Sequence, residues 1–142
     1  MKEEIEYGAT PLWKFLTKEF DIGVAFSLFA PYSGAGIKIS DGPIPGKSIT
    51  SMMELVASNT NYVGSHFGGS LYSMCDPFFM LLVIRTLGDD YIVWDKSATI
   101  DFLKPGHGKV SAVFHIEDET IEEIKAYLKI KRNNKFQKNS HL

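Results

Sequence analysis

The chain has a single cysteine, Cys75, in 142 residues. That excludes an intrachain disulfide and any site built from paired thiolates. A lone thiol in an apolar segment fits a reducing cytoplasm. Neither sign of charge is in excess. The formal net charge is −2, so nothing global points to nucleic acid. Long hydrophobic runs are lacking too. The longest, Phe78 to Ile84, has seven residues, against the ~20 that a bilayer span needs, so no membrane is expected. The start, MKEEIEYGAT, has neither the basic residues nor the apolar core of a secretory signal. The four histidines, His66, His107, His115 and His141, show no metal-ligand spacing, and no metal is expected.

What is present is a core. Hydrophobic residues make up 44% of the chain, which suits one globular domain over residues 1–142 and not two. Thr10-Pro11 reads as a helix start, with Thr10 as N-cap and Pro11 in the first helical position. Phe26 to Pro31 is apolar without a clear period. Ala35, Ile37 and Ile39 alternate with polar or small residues, a strand signal ended by Asp41-Gly42-Pro43. Lys47 to Ser58 alternates again. Asn59 to Gly68 is a polar loop. Gly69 to Leu87 is apolar on nearly every side and predicts one long helix that other elements must wrap, ended by Gly88-Asp89. Tyr91 to Phe102 reads as a strand, with Ile92, Trp94, Ala98, Ile100 and Phe102 on one face. Val110, Ala112, Phe114 and Ile116 mark the next strand. The short connection between these two predicts an antiparallel pair. Thr120 to Glu123 fits a capping box opening a short helix. From about 129 to 142 the chain reads as a polar, basic, solvated tail.

The segment NYVGSHFGGSLYSMCD, Asn61 to Asp76, concentrates the chemistry. Gly68 and Gly69 stand at the mouth of the apolar helix, where another atom can approach the backbone. The first N–H groups of a helix lack internal partners and carry partial positive charge. Such a place polarises a carbonyl. Asp76 follows about two turns later, placed to act on what is held there. Against that, Asp76-Pro77 also fits an N-cap and first helical residue, so the helix could begin there. For Gly68-Gly69 the plain alternative is a tight turn. Asn61 reads equally as a turn-former. Ser73 can bond substrate or its own helix. No nucleophile elbow surrounds it. Cys75 reads as inert packing.

With those residues in view, the chain resembles the hotdog-fold acyl-thioester hydrolases, and most closely the DUF4442 branch. The related phenylacetate-pathway-type thioesterases share the pattern Asn-x-x-Gly-x-x-His-Gly-Gly with an acid seven residues after the second glycine. Asn61, Gly64, Gly68, Gly69 and Asp76 fall on those spacings. Trp94-Asp95-Lys96 and Ile100 to Gly106, then Gly108-Lys109-Val110, are similar to the strand, turn and strand after the family helix. The resemblance spans roughly Pro31 to Lys125. Phe67 occupies the family's histidine position, with His66 one residue earlier.

The resemblance implies an α+β hotdog fold, an antiparallel sheet wrapped around one long apolar central helix. One or two further C-terminal strands belong to that pattern. Here they are either missing or replaced by Leu128 to Phe136. It implies hydrolysis of an acyl thioester of coenzyme A or an acyl carrier, with no further cofactor, in a homodimer or dimer of dimers. Asp76 would be general base or nucleophile, with a pKa raised by burial among Met74, Phe78 and Phe79. The Gly69 N–H would be oxyanion donor, and Asn61 would orient water. Gly68, Phe67 and Ser73 would line the substrate. Lys104 and His107 would meet the phosphates of coenzyme A. A non-catalytic acyl or coenzyme A binding module is the alternative. A hydratase would want the histidine that Phe67 replaces.

Overall fold

The computed structural model describes residues 10–88 and 90–139, without the side chains of 22 and 132–139. The acidic start, Asp89 and His141 lie outside the described residues. In chain order the elements are α1 Pro11–Glu19, α2 Ile22–Ser27, α3 Ala30–Ala35, β1 Ile37–Asp41, β2 Ser48–Glu54, α4 Gly68–Ser73, α5 Phe78–Leu87, β3 Lys109–His115 and α6 Asp118–Asn139. The class is α+β, as expected. The described strands form one open antiparallel sheet in the order β1-β2-β3.

The period-2 alternation of each strand delivers one apolar face. Ile37 lies beside Met53 and Val110, Ile39 beside Ser51 and Ala112, and Ile49 beside Phe114. Helix α5 packs on that face. Phe78 is fully buried and its ring lies 5.0 Å from that of Phe114. An aromatic series continues outward through Tyr32 and Phe26 to Trp13, which docks α1 at 4.5 Å from Phe26. Thr10 and Pro11 begin α1 as the sequence predicts. The untyped stretch Phe26 to Pro31 holds the end of α2 and the start of α3.

Three expectations are corrected. Tyr91 to Phe102 forms no strand, and β3 pairs with β2 instead. Alternation marks a chain that can pair. It does not supply the partner, and here Ile92 and Trp94 remain exposed. The long helix is two helices, because Pro77 cannot donate a helical hydrogen bond. Finally, α6 starts at Asp118 rather than at a Thr120 cap and runs through the expected tail to Asn139. Lys47 Nζ holds both carboxylate oxygens of Asp118 at 2.8 Å, an exposed ion pair beside that start.

By length and composition the run Gly68–Leu87 could cross a membrane, a property that counting unbroken apolar residues overlooks. In the fold it carries a break and Asp76 at its middle, and it places Met74, Phe78 and Leu82 in the core.

Candidate functional site

The loop before the glycine pair is held by three side chains. Asn59 is buried, and its amide donates to Ala35 O and Glu54 O at 2.8 and 2.7 Å and accepts from Val56 N at 2.9 Å. Its own carbonyl accepts from Phe67 N at 2.8 Å. One residue thus ties the ends of α3 and β2 to the start of α4. Asn61 folds the loop on itself. Its Oδ1 accepts from Val63 N and Ser65 N, and its Nδ2 donates to Ser65 Oγ and His66 O. The turn-forming role is the one this geometry displays, and no free group remains on Asn61 to orient a water strongly.

His66 is the third. It is 2% exposed. Its backbone N–H donates to Gly106 O at 3.0 Å, and Nε2 lies 2.9 Å from Gly108 O. A carbonyl only accepts, so Nε2 carries the proton. Nδ1 is buried with no partner among the described residues. In the sequence His66 stands one residue before the family's histidine position, and Asn59 is only the first residue of a polar loop. A polar residue in a loop gives no sequence signal of its burial.

Phe67 is the N-cap of α4. Its backbone carbonyl accepts from Ser70 N and Leu71 N, so the amides of Gly68 and Gly69 keep no partner among the described residues. Both glycines face rings. A Cβ at Gly69 would come within 2.4 Å of the Phe67 ring, and one at Gly68 within 3.1 Å of the Phe102 ring. The absence of side chains at the pair thus lets the Phe67 and Phe102 rings lie close over the turn. Ser73 Oγ donates back to Gly69 O at 2.9 Å, the helix-bonded alternative.

Helical hydrogen bonding continues past α4 to Asp76, whose N–H donates to Tyr72 O at 3.1 Å. The Asp76–Pro77 peptide is cis. The expected burial of Asp76 is corrected, for its side chain is exposed in the single chain. The carboxylate makes no hydrogen bond or ion pair among the described residues. The Asp76 carbonyl accepts from the Tyr32 hydroxyl. Burial, and then the nearby Asp76 and Cys75 charges, push the Tyr32 pKa well above the usual tyrosine range, so it stays a donor. Cys75 is exposed rather than packed, although partial burial of its thiol still pushes that pKa up.

Lys104 and His107 are exposed on the turn whose Gly106 and Gly108 carbonyls His66 holds. The fold thus brings Phe67, Gly68 and Gly69 to the Lys104–His107 turn. Asp76 stands apart. Seven residues separate it from Gly69, about 10 Å at the helical rise. No group of three potential metal ligands exists among the described residues.

The fold and the site define an α+β domain with an apolar two-part helix behind a paired-glycine turn. The chain belongs to the DUF4442 family, a domain of unknown function, whose family model matches residues 21–138. No curated protein and no solved structure matches the chain.

Proposed function

We propose that the chain is an acyl-thioester hydrolase of the hotdog class, acting on coenzyme A or carrier thioesters in a reducing cytoplasm. The observation that carries this reading is an Asp76 carboxylate with no partner among the described residues, on the same helical run that begins with two glycine amides likewise without one. The amides would polarise the thioester carbonyl, a donor of that kind being worth ~2.7–4 kcal/mol in the transition state. Asp76 would activate water or attack the carbonyl itself.

A separation of about 10 Å prevents one chain from placing both groups on one carbonyl. The reading therefore needs a second copy, with amides from one and the carboxylate from the other. Exposed apolar surface supports that requirement. Only 22% of the most apolar 18-residue stretch of Gly68–Leu87 is buried, and Phe79, Val113 and Phe102 are each more than half exposed. The same separation also favours a second reading, a binding module that holds the acyl thioester without cleaving it.

The test is thiol release from a panel of acyl-coenzyme A thioesters, with Asp76→Asn alongside. Turnover should fall about 10²–10⁴-fold in the variant. Equal release by both proteins removes Asp76 from the mechanism. Tight binding with no release by the unaltered chain selects the binding module.

A further inference from the structure

His66 is a buried side chain without a role in the proposed chemistry. It makes two separate bonds to one turn, from its backbone to Gly106 and from its ring to Gly108. Its ring also lies against Gly106, where an added Cβ would come within 3.3 Å of Cδ2. Two residues after His66 come the glycine amides. The residues flanking Gly106 include Lys104 and His107, two exposed cationic or potentially cationic groups. A thioester of coenzyme A has two recognisable ends, a carbonyl and a polyphosphate. The first needs hydrogen-bond donors and the second needs positive charge. His66 joins the element that offers one to the element that offers the other.

We propose that His66 is a positioning residue that sets the distance between the carbonyl site at Gly68-Gly69 and a phosphate site at the Lys104–His107 turn. This rests on the hydrolase reading. The ring bond runs from Nε2–H to Gly108 O, and Gly108 also accepts from Leu55 N at 2.9 Å. The turn is thereby registered against the end of β2 as well as the glycine pair. Gly108 adopts φ +64°, a conformation that L side chains resist, which fits a turn shaped for one fixed placement. With Nδ1 lacking a partner among the described residues, one ring hydrogen bond carries the side-chain part of this connection.

The spacing matters only for a substrate that touches both ends. The experiment compares kcat/KM on an acyl-coenzyme A with that on the same acyl group carried by N-acetylcysteamine, which lacks the nucleotide and phosphates. His66→Phe keeps a ring but no donor, and His66→Gln restores a donor near Nε2. Gly106→Ala presses on the ring from the turn side and is the milder change. A misplacement near 1 Å can cost ~10²-fold in rate. His66→Phe and Gly106→Ala should therefore lose roughly tenfold or more on the coenzyme A thioester beyond any loss on the short one, mostly in KM, and His66→Gln should recover part of it. Equal losses on both substrates, in variants that still unfold cooperatively, overturn the spacing role and leave the hydrolase reading standing. No thiol release by the unaltered chain from either substrate overturns both.

Discussion

The two edges of the sheet are treated differently. At β1, helix α2 covers the edge. Ile39 N donates to Ser27 Oγ at 3.0 Å, and Ser27 Oγ donates to Gly23 O at 2.7 Å. Gly23 lies so close that a Cβ there would come within 2.7 Å of Ile39 O. At β3 nothing comparable exists among the described residues. Among the described residues its only ladder is with β2. The register that turns Ile39 outward in β1 turns Lys109, Ser111, Val113 and His115 outward in β3. A bare edge is a template for another strand. The comparison teaches that, among the described residues, this chain closes one edge by itself and leaves the other open, and the proposed two-copy site would use such an open edge.

The strongest way to break the comparison is Val113→Pro. Proline removes an outward N–H and spares the β2 ladder. Sedimentation equilibrium should show loss of self-association while the sheet persists. An unchanged oligomer would place the contact elsewhere. Next in size is Gly23→Val, which drives α2 from the sealed edge. Forced packing of this kind costs about 1–3 kcal/mol, read as a lower denaturant midpoint at unchanged slope.

The smallest effect is at the end of β3. His115 Nδ1 lies 3.1 Å from Lys47 O, and Nε2 lies 3.3 Å from Glu117. The Lys47 carbonyl first raises the His115 pKa, desolvation of the ring opposes it, and Glu117 and Asp118 add to the rise, which prevails. A raised folded value means the contribution is complete below the unfolded value of about 6.5 and is lost as pH rises through the folded one. Amide exchange at the start of α6 should quicken slightly between pH 6 and pH 8, beyond intrinsic rates. The β1 edge, which Ser27 holds without a titrating group, should not change.

Much of the fold was legible locally. Thr10-Pro11, the alternation of Ile37 and Ile39, and Val110 to Phe114 each declare an element through short-range physics. The break at Pro77 was legible as one of two readings, a single long helix or a helix begun at Asp76-Pro77, because a proline tells where a helix loses a bond and not whether it stops. Tyr91 to Phe102 misled, since pairing depends on a partner that the segment itself does not encode. At the site, the glycine pair and Asp76 could be picked out by type and spacing. Their separation could have been computed from helical rise alone. The roles of Asn59 and His66 could not, because both bond to backbone carbonyls, and carbonyls are present at every position and leave no trace in sequence.

Asn59 joins Ala35, Glu54, Val56 and Phe67 through one buried residue. The glycine turn therefore cannot fray as an independent loop. To open it, the chain must release the ends of α3 and β2 at the same time, so local opening there should approach the free energy of global unfolding. The conformation that the proposed chemistry would use is in this way inherited from the cooperativity of the whole domain.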